Sequence, residues 1–228
     1  MKLFIIMTKK EKIVDTLPYK KVSRSYRFWK RFIDIFVSLF FIILLSWLLL
    51  ILYIIATITS KGTGIFHDNR IGKDHKPIHV YKFRTMYADA EENVDKYLSK
   101  QQKKEWKKER KVDNDPRITP FGNFLRRTSL DELPQLFNIL KGTMTIVGPR
   151  PITEKELNDH YTPEEQDILL SARPGLLGYW GVMGRNDVNY DKGRQKLELD
   201  YFKLRGLWFD FCLVLRAIPA VIKGKGAR

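Results

Sequence analysis

Apolar positions are spread very unevenly along this chain. Phe32 to Thr59 reads FIDIFVSLFFIILLSWLLLILYIIATIT, with Asp34 its only charge. At about 1.5 Å per residue this makes a helix of roughly 42 Å. The hydrocarbon core of a bilayer is about 30 Å thick, so the pattern predicts a membrane-inserted helix over 26–60. Asp34, soon after Lys30 and Arg31, is read as half of an interfacial ion pair rather than a buried charge. Beyond the apolar run the pattern breaks up. Gly62 to Lys76 predicts turns and short strands, and His79 to Met86 (HVYKFRTM) is the best strand candidate. Ala88 to Lys111 is highly charged and predicts a solvated helix or loop.

Helix starts follow. Thr119-Pro120 pairs an N-cap with proline at the first helical position. Ser129 to Glu132 matches the S-x-x-E capping box, and Gly142 ends that helix. Pro134 fits only if the helix begins near Leu130 or Asp131. Thr162-Pro163-Glu164-Glu165 starts another helix, which stops before Arg173-Pro174-Gly175. Gly175 to Arg185 reads as irregular or short strand. From Tyr190 the pattern is helical until Pro219, where a break is expected. The terminal stretch suits a helix in the membrane interface and a core helix equally. The fold class is therefore α+β, predominantly helical. A basic extension (1–25) precedes the inserted helix (26–60), and a domain of short strands and amphipathic helices (61–228) follows.

Charge narrows the choice of partner. The 228-residue chain carries a formal net charge of +15. That favours nucleic acid, an anionic membrane surface or phosphorylated substrates. The Lys-rich run in 88–111 is read as a solvated face, with no nucleic-acid partner. Basic residues flank the apolar segment on both sides, from Lys9 to Arg31 and from Lys61 to Arg84. Basic flanks mark the cytoplasmic side, so a helix that enters and returns to one face fits better than a span. There is no G-x-x-x-x-G-K-S/T loop and no G-x-G-x-x-G. The four histidines, His67, His75, His79 and His160, lack metal-ligand spacing.

The chemistry concentrates between Leu130 and Pro151, LDELPQLFNILKGTMTIVGPRP. Asp131 and Glu132 are adjacent carboxylates at a helix start. Two readings stand: helix capping, or catalysis. Arg117, Arg126 and Arg127 upstream and Arg150 in GPRP favour the second, because guanidinium forks match phosphate oxygens. An ionised Asp, several Arg and Mg²⁺ make a set suited to phosphoryl transfer.

With these blocks the chain resembles the bacterial sugar transferase family, the monotopic phosphoglycosyl transferases. The resemblance rests on KRFIDIFVSLFFIILLS (Lys30 to Ser46), VYKFRTM (Val80 to Met86), DPRITPFGNFLRRTSLDELPQLFNILKG (Asp115 to Gly142), IVGPRP (Ile146 to Pro151), RPGLLGYWGVMGR (Arg173 to Arg185) and the tail to Gly226. It implies transfer of a sugar-1-phosphate from a UDP-sugar to undecaprenyl phosphate, with release of UMP. It implies that Asp131 attacks the β-phosphate and binds Mg²⁺, with Glu132 as its dyad partner. Lys82, Arg84, Arg117, Arg126, Arg150 and Arg185 become the expected substrate and phosphate contacts. The partners implied are a nucleotide sugar and a membrane lipid, polyprenyl phosphate, and a homodimer is allowed. The setting implied is the bacterial inner membrane, with a re-entrant helix and a cytoplasmic catalytic domain. One departure stands out. Small members often carry Ser-Pro in mid-helix, where this chain has Ser46-Trp47. The competing reading is a membrane-anchored basic scaffold or nucleic-acid binder without catalysis.

Overall fold

The structure, a computed structural model, describes residues 14, 17–109, 112, 114–183, 190 and 193–222. It is mostly helical with short strands, as the sequence predicts for an α+β chain. The apolar segment forms two helices. α1 spans Arg24–Leu44 and α2 spans Ser46–Ser60, bent by 69° about Leu45. Among the described residues no single helix is long and apolar enough to cross a membrane, although the bent pair reaches that length and composition together.

No proline makes the bend. Leu45 leaves the helical region at φ −101° and ψ 10°. Leu49 and Leu52 of α2 then pack against Phe83 and Leu125, with Leu45 and Leu48 at the edge of the same cluster. Burial of leucines on the domain can hold a bend that otherwise needs a helix breaker. The outer faces of both helices stay uncovered: Phe28, Trp29, Phe32, Phe36, Trp47, Leu50 and Ile58 are exposed. So large an apolar surface marks an interaction site.

The expectation for Asp34 is corrected. It is a buried charge, 2% exposed. Its carboxylate accepts from Thr145 Oγ1 at 2.8 Å and from the Ile146 amide at 3.0 Å. Lys30 pairs instead with Asp210 at 2.8 Å, and Arg31 donates to the carbonyls of Ile139 and Leu140. The carboxylate is held by hydrogen bonds because Thr145 and Ile146 lie in a strand against α1.

Two small sheets complete the frame. β1 (Ile65–Ile71) and β2 (Pro77–Phe83) form an antiparallel hairpin, in register from Ile65 opposite Phe83 to Ile71 opposite Pro77. The expected strand His79 to Met86 thus begins and ends earlier; Met86 makes only an isolated bridge with Ile118. The charged stretch holds two helices, α3 (Val94–Tyr97) and α4 (Lys100–Glu109). Then come α5 (Pro120–Thr128), α6 (Gln135–Lys141), β3 (Thr145–Val147), α7 (Glu154–His160) and α8 (Pro163–Leu170). β4 (Gly175–Leu177) pairs parallel with β3, and α9 (Tyr179–Met183), α10 (Arg194–Leu204) and α11 (Leu207–Ile222) follow. Thr119 caps α5, Thr162 and Glu165 form a capping box on α8, and Gly142 closes α6 in the left-handed region, as the sequence indicates.

The break expected at Pro219 does not occur, since α11 runs through it to Ile222. Proline removes one i→i−4 bond, here to the carbonyl of the exposed Leu215, and that single loss does not end the helix. Phe209, Leu213 and Ala217 of α11 are buried, while Trp208, Phe211, Leu215 and Ile218 are exposed. One face is therefore core and the opposite face is open and apolar. The core reading is met on one side of the helix, and the other side leaves the apolar face that the interface reading requires.

Candidate active site

Ser129 ends α5 in the left-handed conformation, at φ 57°. Its side chain makes no capping bond, so the expected Ser129–Glu132 capping box is absent. A residue twisted into that region cannot aim its hydroxyl at the amide three positions on. The chain instead makes one 3₁₀ turn, Leu130–Glu132, and α6 starts only at Gln135, after Pro134. Leu130 and Leu133, one turn apart, pack against the α2 cluster. Positions three apart share a face in such a turn, so Asp131 and Glu132 are directed elsewhere.

Among the described residues, neither Asp131 nor Glu132 has a salt-bridge partner or a side chain donating to it. Burial and the neighbouring Glu132 charge push the Asp131 carboxyl up to about 6, against the opposing charges of Lys82 and Arg126. Two adjacent carboxylates that take no side-chain donor among the described residues form a pair of hard oxygen ligands. Asp68 makes a useful contrast. Burial works against its ionisation too, but hydrogen bonds and charge from Arg70 and Lys82 hold it below the usual range.

The expected phosphate contacts divide. Lys82 bonds Asp68 at 3.0 Å while its charge reaches Asp131. Arg126 is anchored through Nε to Thr85 Oγ1 at 2.9 Å and also acts on Asp131. Arg150 is within electrostatic reach of Glu132. Its side chain is exposed to solvent. The charges of these three act on the dyad. Arg84 is engaged elsewhere, donating to the Thr63 carbonyl at 2.7 Å and to Thr63 Oγ1. Arg117 is buried in a fork with Asp115, with bonds of 2.9 and 2.6 Å. Arg185 lies outside the described residues.

Several residues at the site were not anticipated. The Arg150 amide donates to the buried Glu198 at 3.1 Å, which fixes the GPRP turn. The turn also touches β4 backbone to backbone: a Cβ on Gly175 would lie 2.1 Å from the Gly148 nitrogen. The Arg150 guanidinium lies 5.5 Å from the Trp180 ring. Arg194 lies 4.3 Å from both Trp180 and Tyr190. Glu156 bridges Arg70 at 3.3 Å and Arg194 at 3.7 Å. Alternating charges thus run from Lys82 through Asp68, Arg70 and Glu156 to Arg194, and the Trp180 ring lies between Arg194 and Arg150. Thr153-x-x-Glu156 is a capping box on α7 and was visible in the sequence. Arg194, Trp180 and Glu198 have no comparable local signature.

A family model described as Bacterial sugar transferase matches residues 25–224. The chain belongs to that family. An undecaprenyl-phosphate galactose phosphotransferase of Salmonella typhimurium is 42% identical over 207 residues, covering 90% of this chain and 43% of its own length. The exopolysaccharide production protein ExoY of Sinorhizobium fredii is 36% identical over 200 residues, 87% of each chain. A UDP-glucose:undecaprenyl-phosphate glucose-1-phosphate transferase of Klebsiella pneumoniae is 38% identical over 196 residues, covering 83% of this chain and 39% of its own. This bacterial sugar transferase thus spans less than half the length of the first and third of these relatives.

Proposed function

We propose that this chain moves a sugar-1-phosphate from a UDP-sugar to undecaprenyl phosphate and releases UMP, as the first membrane step of a bacterial surface glycan. The observation that carries this reading is the Asp131–Glu132 pair, which among the described residues has no salt-bridge partner or side-chain donor and lies within the electrostatic reach of Lys82, Arg126 and Arg150. A donor diphosphate supplies the negative charge these cations lack. Held there, its β-phosphorus faces an ionised Asp131 oxygen. That oxygen forms a bond to phosphorus as the bond to the UMP oxygen breaks, and UMP leaves with the electron pair. In the second half, an oxygen of the lipid phosphate attacks the same phosphorus and frees Asp131. Cations aimed at the equatorial oxygens stabilise the charge in both steps. Asp131, with Glu132 beside it, would hold Mg²⁺, which neutralises phosphate charge when bound. Solubilised protein given UDP-sugars should release UMP and form a polyprenyl diphosphosugar. Formation of neither product from any donor would defeat the proposal.

Arg150 has a distinct expected outcome. If it binds a phosphate through its fork, Arg150→Lys should lose activity almost as Arg150→Ala does, by about 10-fold or more, because a point charge replaces a bidentate donor. Steady-state rates of both variants decide the matter. A Lys variant equal to the parent would make GPRP a structural turn only.

The bent helix pair supports the setting in a membrane. The exposed apolar faces of α1, α2 and α11 suit a bilayer, and the bend suits a helix that enters and returns to the cytoplasmic face. Labelling at Lys21, exposed just ahead of α1, tests this. In a Cys212→Ser background, a Lys21→Cys variant should resist an impermeant thiol reagent in intact cells and react after permeabilisation. Labelling in intact cells would mean that the pair spans.

A further inference from the structure

A cavity of about 520 Å³ lies between the N-terminal half of α1 and the far side of β3, lined by none of the residues around Asp131. Phe28, Phe32 and Ile35 give it an apolar wall, and Arg27, Arg31 and Arg173 give it a cationic one. Its remaining charges are already engaged. Lys30 pairs with Asp210, Lys73 with Asp74, Arg205 donates to the Lys20 carbonyl, and Asp34 accepts from Thr145 and Ile146. Arg27 and Arg173 pair with no carboxylate among the described residues. Arg173 lies close enough to Arg31 for the two charges to repel. Arg31 already donates to the Ile139 and Leu140 carbonyls and feels the charge of Asp34, whereas Arg27 and Arg173 lack an anion that a phosphate would supply.

The apolar wall continues outward. Phe28, Phe32 and Phe36 are exposed along α1, with Phe32 and Phe36 stacked at 6.4 Å between ring centres. Trp29 is exposed beside them, and an amphipathic ring of this kind favours a membrane interface. A ligand filling this site therefore needs an anionic head and a hydrocarbon tail that leaves along an aromatic rail.

We infer that the cavity binds one anionic phospholipid of the surrounding bilayer, its phosphodiester between Arg31, Arg173 and Arg27 and an acyl chain along Phe28 and Phe32. The lipid then bridges α1 and the turn before β4, and fixes how the inserted helix meets the rest of the chain. This rests on the membrane setting proposed above, but not on the chemistry at Asp131. The Asp131→Asn variant should therefore retain the lipid, and failure of the chemistry and failure of the lipid site can be told apart.

The test uses the full chain in a neutral detergent, titrated with phosphatidylglycerol or with phosphatidylcholine of the same acyl chains, and read by native mass spectrometry. One phosphatidylglycerol per chain should be retained under conditions that strip phosphatidylcholine. Arg173→Ala should weaken that retention about 10-fold, the scale of one charge-assisted contact. Arg27→Ala, at an exposed position, should act in the same direction and covers the case in which the first variant folds poorly. Lys155→Ala, an equal loss of charge on an exposed part of α7, should have no effect. Equal retention of the two lipids would overturn the inference, as would an equal effect of Lys155→Ala. One-for-one displacement of phosphatidylglycerol by polyprenyl phosphate would make the cavity an acceptor site and would also overturn it.

Discussion

Asp131→Asn is expected to reduce transfer by at least about 1,000-fold and, in EDTA, to make the protein more stable at pH 8. The first effect follows from the loss of the nucleophile. An amide neither attacks phosphorus nor holds a divalent ion as a carboxylate does, and a 1,000-fold loss corresponds to about 4 kcal/mol of transition-state stabilisation. The second follows from the elevation of the Asp131 carboxyl, from an ordinary value of 3.8 to about 6. Between those values the folded chain binds more protons at this site than the unfolded chain. Stability then falls as pH rises through the window, by about 3 kcal/mol once pH is above 7. Asparagine keeps the shape and removes the charge. Its advantage should be nearly full at pH 8 and mostly absent at pH 4. Denaturant unfolding at the two pH values reads it directly. An equal difference at both pH values, or a less stable variant at pH 8, would mean that the site does not strain its carboxylate.

The second large effect concerns the platform under the dyad. Gly122→Ala should cost on the order of 3 kcal/mol or more, because the added Cβ would lie 1.9 Å from the Thr85 carbonyl oxygen and 2.6 Å from its carbon. Backbone cannot swing aside as a side chain can. The same carbonyl accepts from the Thr119 amide at 3.0 Å, and the Thr85 hydroxyl accepts from Arg126 at 2.9 Å. Parting α5 from Thr85 therefore loosens the helix start and an arginine that acts on Asp131 together. For a chain of this size the loss should lower Tm by about 6–12 °C. Gly181→Ala serves as the control, since nothing lies within 4 Å of its added Cβ. If both variants melt within about 2 °C of the parent, the close packing of α5 on Thr85 is not what holds this part of the fold.

What the sequence revealed and what it hid have a common cause. Signals that act within a few residues were legible: Thr119-Pro120, the Thr162 and Glu165 box, Gly142, and the apolar run itself. The basic flanks favoured a returning helix, but the place of its bend, Leu45, was hidden, because Leu49 and Leu52 pack on Phe83 and Leu125, far along the chain. Ser129 misled for the same reason. S-x-x-E is a good local signature, but α5 closes with Ser129 in the left-handed region, where the box cannot form. Asp34 reads as an interfacial charge until Thr145 and Ile146 are brought to it. Among the cations, one pattern covered different fates. Lys82, Arg126 and Arg150 act on the dyad, while Arg84 serves Thr63 and Arg117 serves Asp115. Arg194 and Glu156, which complete the alternating charges that start at Lys82, are joined only by the fold.

The central claim is that Asp131 carries the phosphosugar, and incubation with donor alone tests it most directly. With a UDP-sugar and no polyprenyl phosphate, UMP should be released in a burst of up to one per chain. A sugar-phosphate should be found on the peptide that contains Asp131, and subsequent addition of acceptor should remove it. The account is contradicted if UMP appears only when acceptor is present and no labelled peptide is found, since donor and acceptor would then react directly without passing through Asp131.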